Sequence, residues 1–242
     1  MPEPDAGPVL RLRQVRKHYG ALRPLRINDL AVAPGQRLSL IGLDLPAAET
    51  FVSLATGAAL PDEGTVEAFG RGTASITDSA DWLAVLDRFG VLSDRVVLLE
   101  AMTVAQNLAV PFTLEIDPLN AHVRPKVDRL AVEVGLQAIL ERRVAELSAG
   151  DRARIRLARA LALGPGLLIL EHPTASLPSG EVAGFARLVA RVSVRRQCAV
   201  VSLTADGVFA RALGGIRLVL EPATGGLRER SGWFRPWRTW RR

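Results

Sequence analysis

The stretch that most restricts the fold is residues 147–178, LSAGDRARIRLARALALGPGLLILEHPTASLP. Ser148 stands at the head of a basic, Ala/Leu-rich helix, and the four residues 167–170, Leu-Leu-Ile-Leu, follow as an apolar strand. A strand with no polar position has no face left for water, so it belongs at the centre of a parallel sheet covered on both sides by helices. Ala199, Val200 and Val201 repeat the pattern. Together they predict an α/β layer architecture.

A chain of 242 residues that is 48% hydrophobic can bury a large core, and fits one α/β domain or a core with a helical subdomain. No segment approaches 18 uninterrupted apolar residues, because even LARALALGPGLLIL contains Arg159, Gly164 and Pro165. Residues 1–8, MPEPDAGP, lack the basic start and apolar run of a signal peptide and read as a loose arm. A cytoplasmic protein, or one peripheral to a membrane, is expected. The one cysteine, Cys198, adjoins an apolar run and is expected to pack as a small buried hydrophobe. The formal charge is +6, of which the six arginines and one glutamate of residues 228–242 supply +5, leaving about +1 for the rest. Basic character therefore belongs to the tail, which argues against nucleic-acid binding by the folded part.

Apolar alternation predicts strands at 9–15, 26–33 and 37–42, with Pro34-Gly35 turning the last pair, then a helix at about 47–56, a turn at 61–64 and a strand at 65–69. From Thr103 to Leu140 the patterns are helical and broken by Pro111, Pro118 and Pro125. The division expected is an arm at 1–8, a domain at 9–227 with a helical subdomain at about 95–146, and a tail at 228–242.

Several motifs resemble those of ABC-type ATPases. Leu147-Ser148-Ala149-Gly150-Asp151 stands where the family has L-S-G-G-Q, and Glu171-His172-Pro173-Thr174 stands where it has D-E-P-T. Tyr19-Gly20, Pro34-Gly35, Gly42, Gly57 and Pro61 to Gly64 follow the family's order of landmarks. The resemblance covers roughly residues 9 to 227. It implies a phosphate-loop-type α/β core with an antiparallel β part and a helical subdomain. The 103–112 segment and the length look closest to lipoprotein-release, macrolide-export and cell-division-type cassettes.

The same alignment shows altered chemistry. A phosphate loop needs glycines for the turn, amides aimed at oxygens and a lysine for charge. Aligned on Gly42, the second glycine is Ala47, the lysine is Ala48 and the magnesium-binding hydroxyl is Glu49, while Pro46 has no amide hydrogen. Trading Lys for Ala and adding Glu shifts local charge by −2 beside a polyanion. A single charge pair at ~4 Å is worth about 4 kcal/mol at an effective dielectric of ~20. Asp94 occupies the Q-loop glutamine position, Ala205 the switch histidine and Pro178 the D-loop aspartate. Glu171 and His172 replace the metal-holding Asp and water-polarising Glu. No metal site and no efficient ATP hydrolysis by this chain alone are expected.

Individual residues allow two readings each. Glu49 either satisfies the free amides at the following helix start in place of phosphate, or is an exposed acid there. Glu171 either keeps a metal or is a strand-end acid, and His172 is either a base or a structural replacement. Tyr19 either stacks adenine, as the resemblance implies, or packs at a strand end. Ser148 and Gly150, by the same resemblance, act in trans on ATP held by a facing subunit, so ATP and magnesium reach this chain at most through a partner.

The C-terminal Trp233, Trp237 and Trp240, interleaved with arginines, suit an anionic membrane surface. The resemblance implies an intact ABC ATPase subunit and membrane-spanning transporter subunits as partners, on the cytoplasmic face of a membrane. Three functions follow: a pseudo-ATPase subunit offering its signature in trans, an active transport ATPase with an atypical site, or a nucleotide-independent scaffold or regulator.

Overall fold

The structure, a computed structural model, describes residues 7–230. The Trp/Arg segment from residue 231 and all but the last two residues of the expected N-terminal arm lie outside the described residues.

Two sheets share the chain. An antiparallel sheet has the order β2-β1-β4-β5, from β1 (Leu10–Lys17), β2 (Leu25–Val32), β4 (Glu63–Ala68) and β5 (Arg71–Gly72). A six-stranded sheet has the order β10-β9-β3-β8-β7-β6, from β3 (Arg37–Ile41), β6 (Phe89–Ser93), β7 (Leu167–Glu171), β8 (Ala199–Leu203), β9 (Ile216–Glu221) and β10 (Gly226–Glu229). Its strands run parallel except for the β9–β10 hairpin. Pro34-Gly35 therefore does not close a hairpin: β2 and β3 lie in different sheets, and the turn carries the chain from one to the other.

β7 and β8 are buried at every position, as the apolar runs 167–170 and 199–201 require, and the polar Glu171 and Ser202 are buried with them. Pleating sends Leu167 and Ile169 into one core with β1, β2 and α1 (Leu45–Ala55). It sends Leu168 and Leu170 into a second core. That second core also holds α3 (Val104–Ala109), α4 (Arg124–Val134), α5 (Ala149–Leu161), α6 (Ser179–Arg196) and α7 (Gly207–Leu213). A short α2 (Ser79–Leu86) precedes β6. Pro125 does not break a helix, because it sits in the first turn of α4, where a missing amide hydrogen costs nothing. Cys198 is 1% exposed, and burial pushes its thiol up to about 11. No helix among the described residues is long and apolar enough to cross a membrane.

Candidate functional site

The loops after β3, β6, β7 and β8 all leave the carboxyl edge of the parallel sheet, the place where open α/β sheets bind ligands. These loops carry Gly42 to Asp44, Asp94 and Arg95, His172 to Pro178, and Thr204 to Asp206. The sheet thus gathers most of the altered motif positions at one edge.

The loop after β3 begins with Gly42 at φ 104°, where an added Cβ would lie 3.0 Å from the Leu220 carbonyl oxygen, so only glycine fits without strain. α1 then starts at Leu45, two residues earlier than the pattern predicts. Asp44 is its cap, accepting a hydrogen bond from the Ala47 amide at 2.9 Å. Glu49 does not fill that role. It sits a full turn inside the helix, too far along to meet the free amides, and its carboxylate turns to Arg95. Ala48, at the lysine position, is 0% exposed and packed among apolar side chains.

Arg95 is the centre of the site. Its Nη2 donates to both oxygens of Glu171, at 2.9 and 2.7 Å, and its Nη1 pairs with Glu49. Its amide and Nε donate to Ser93 Oγ at 3.2 and 3.4 Å. The Glu171 side chain is 1% exposed, whereas those of Arg95 and Glu49 are about half exposed. Burial works against the charged guanidinium, but the hydrogen bonds and charge of Glu171, and then of Glu49, outweigh it and raise Arg95 above its ordinary value. Glu171 is thus a strand-end acid held by an arginine.

Around this bridge the other positions are also engaged. Asp94 Oδ1 accepts from Ser176 Oγ at 3.2 Å and pairs with Arg156 at 3.4 Å. His172 adopts a left-handed φ of 43° and donates its amide to the Leu203 carbonyl, while its Nε2 is buried with no hydrogen-bond partner. Ala205 is exposed, one residue before Asp206, which caps α7 through the amides of Val208 and Phe209.

ATP and magnesium, which a cassette fold implies, do not fit these residues. The lysine position is a buried methyl group, and an acid occupies the α1 amide that a phosphate would use. Both carboxylates near a metal position already pair with the Arg95 guanidinium, which takes the oxygens a metal would need. Among the described residues no three His, Cys, Asp or Glu side chains gather as a metal set.

Tyr19 and the signature lie apart from the bridge. Tyr19 lines a cleft of about 110 Å³ with Arg23, Arg26, Asp44 and Leu220 and packs against the apolar core. Burial, and then the charge of Asp44, raise its hydroxyl above the ordinary phenol value. Ser148 is the exposed cap of α5: its Oγ accepts from the Asp151 amide at 3.1 Å and donates to Asp151 Oδ2 at 2.9 Å. Gly150 is buried, and a Glu181 carboxylate oxygen fills the space a Cβ there would take.

Sequence reasoning does not single out Arg95 or Asp44. The signal for Arg95 is charge: two acids at positions built for phosphate and metal need a cation, and Arg95 adjoins the aligned Asp94 in the neighbouring loop. The signal for Asp44 is its place immediately before the helix with Pro46 in the first turn.

A family model described as ABC transporter matches residues 25–175. The chain is 31% identical over 205 residues to the phosphonates import ATP-binding protein PhnC of Anaeromyxobacter dehalogenans, covering 82% of this chain and 41% of that protein, so it spans less than half of that relative's length. It is 29% identical over 185 residues to the lipoprotein-releasing system ATP-binding protein LolD of Pseudomonas fluorescens, covering 76% of this chain and 81% of that one. Among solved structures it resembles the dimeric bacterial ABC transporter cassette MJ0796, with a TM-score of 0.72 at 19% identity, over 93% of this chain and 100% of that one.

Proposed function

The chain belongs to the ABC transporter family, and from that premise we propose that it is a cassette subunit that does not itself hydrolyse ATP but pairs with an intact cassette. The observation that carries this reading is the phosphate loop: Ala48 is buried where a lysine would reach the phosphates, and Asp44 already occupies the Ala47 amide. Electrostatic stabilisation of a transferring phosphoryl group is most of the catalysis such a site performs. Here the fixed charges of the loop are acidic.

Ser148 is exposed at the start of α5, apart from this closed site, with Gly150 buried behind it, and in the proposed pair this helix start addresses the ATP held by the partner. The dimeric state of the MJ0796 cassette supports pairing. Contact with membrane-spanning subunits is proposed through residues 94–110. There a cleft of about 290 Å³ is lined by Val91, Val96, Val110, Pro111, Arg156 and Leu163, and Val97 is 74% exposed. The tail tryptophans would add contact with anionic lipid, placing the subunit on the cytoplasmic face.

Magnesium-dependent ATPase activity, measured on the isolated chain and on the chain with its co-purified partner, tests the reading. Activity only in the pair, reduced by Ser148→Arg with assembly preserved, supports it; turnover near ~1 per second by the stringently purified chain overturns it. One observation favours a scaffold instead: Asp151 and Glu181 place two carboxylates at the α5 start, where they oppose a facing phosphate. Undiminished activity of the assembled Ser148→Arg pair decides for that scaffold.

A further inference from the structure

The loop joining β6 to α3 is held on every side. Arg95 ties it to Glu49 on α1 and to Glu171 at the end of β7. From α5, three arginines on one face reach the same loop: Arg156 to Asp94 and to the Val96 carbonyl, Arg159 to the Val97 carbonyl at 2.8 Å, and Arg152 to Glu100 at 2.9 Å. From α3, the buried Asn107 side chain accepts from the Leu99 amide and donates to its carbonyl, at 2.9 and 3.0 Å. The loop is thus a strap between the signature helix and the sheet, and Arg95 is its attachment to the sheet.

The attachment point has a definite ligand preference. Among the described residues the buried Glu171 carboxylate has no polar partner other than Arg95, and Glu49 adds a second negative charge beside it. One guanidinium between two carboxylates leaves the cluster net negative, so it repels polyanions, and Nη1 and Nη2 meet the two acids from one planar group.

We propose that Glu49 and Glu171 form a cation site whose resident ligand is the Arg95 guanidinium, and that this built-in ligand holds the 94–100 strap, and through it α5 with Ser148 and Gly150, in one position without nucleotide. The inference rests on the reading that this chain's own site does not take ATP. It adds that the place of a metal and phosphate is filled by a side chain that never dissociates.

Hydrogen exchange on the full chain tests it. In Arg95→Ala, amides of residues 94–100 and of the first two turns of α5 should exchange about tenfold faster, with β1 and β2 unchanged. Millimolar methylguanidinium should restore protection, and methylammonium at the same concentration should not. Loosening confined to 94–96 with α5 unchanged overturns the proposal, as does rescue by magnesium-ATP instead of methylguanidinium. If Arg95→Ala does not fold, Glu49→Gln, an exposed change, should loosen the same two segments more weakly; no change in either overturns it. Protection of residues 42–50 by magnesium-ATP in the unaltered chain instead overturns the reading that this site takes no ATP, and leaves the α5 result to decide this one.

Discussion

Replacing Arg95 with Met removes the guanidinium and keeps much of its apolar stem, leaving Glu171 as an unpaired carboxylate with a side chain 1% exposed. Stripping one partner from a buried pair costs about 3–5 kcal/mol, because the remaining charge has lost both water and its counter-ion. Glu171 has an escape, which is to take a proton. From a carboxylate's reference pKa of about 4.3, protonation at pH 7 costs about 2.7 units at 1.36 kcal/mol each, or roughly 3.7 kcal/mol. That figure is a ceiling on the loss of the pair with Glu171. The half-exposed Arg95 position admits some water, which lowers the loss to about 2–3 kcal/mol. The Glu49 contact, exposed on both sides, adds at most about 1 kcal/mol.

The pH dependence follows from the same argument. In the variant, a buried carboxyl without a counter-ion is more stable neutral, so the folded variant binds more protons than the unfolded chain and loses stability as pH rises. At pH 5 the protonation escape costs only about 1 kcal/mol. Urea unfolding of both proteins at pH 5 and pH 7 should show the difference between them growing by about 1–2 kcal/mol at the higher pH. Adding Glu171→Gln to the variant should abolish that growth. A deficit below about 0.5 kcal/mol at pH 7, or one equal at both values, would refute the claim that Arg95 neutralises a buried charge.

Ala48→Lys should not create ATPase activity in the isolated chain, because the new lysine enters an apolar core beside Glu49 and restores neither the metal nor the water-positioning groups; a magnesium-dependent rate above a no-enzyme control would contradict this. Cys198, with its thiol at about 11, should resist a disulfide reagent at pH 8 in the native state and react promptly in denaturant. Asp62, held below the usual carboxylate range by the His18 amide and then by Lys17, adds stability that is present above the ordinary carboxylate pKa and lost as pH falls through the lowered one; Asp62→Asn should therefore reduce stability at pH 6, and the deficit should shrink as pH falls below the ordinary carboxylate range. In the assembled pair, Asp151→Gln should raise ATP turnover several-fold, since it removes a negative charge from the α5 start and frees the Ser148 hydroxyl; lower or equal turnover would count against the trans role.

Much of the architecture was legible because it rests on local patterns. The apolar runs at 167–170 and 199–201 read as central strands, and the chain places both at the heart of the parallel sheet. The Pro34-Gly35 turn was legible as a turn but not as a crossing between sheets, because a dipeptide encodes reversal of direction and not which strands then pair. Pro125 is ambiguous for a related reason: proline disrupts a helix interior and suits a first turn, and the pattern alone does not say which applies.

The site divides in the same way. Loss of the lysine at Ala48 is visible residue by residue, since each motif position carries its own chemistry. The replacement is not visible, because Glu49, Arg95 and Glu171 come from three separate segments and meet only when the sheet brings their strands' ends together. The reading that gives Glu49 to the nearest unsatisfied group along the chain, the helix start, therefore fails, because a closer acid, Asp44, already caps it. A carboxylate that enters a buried site without a local partner implies a cation from elsewhere in the fold. For Glu171, whose strand the structure buries to its last residue, Arg95 is the residue that meets that requirement.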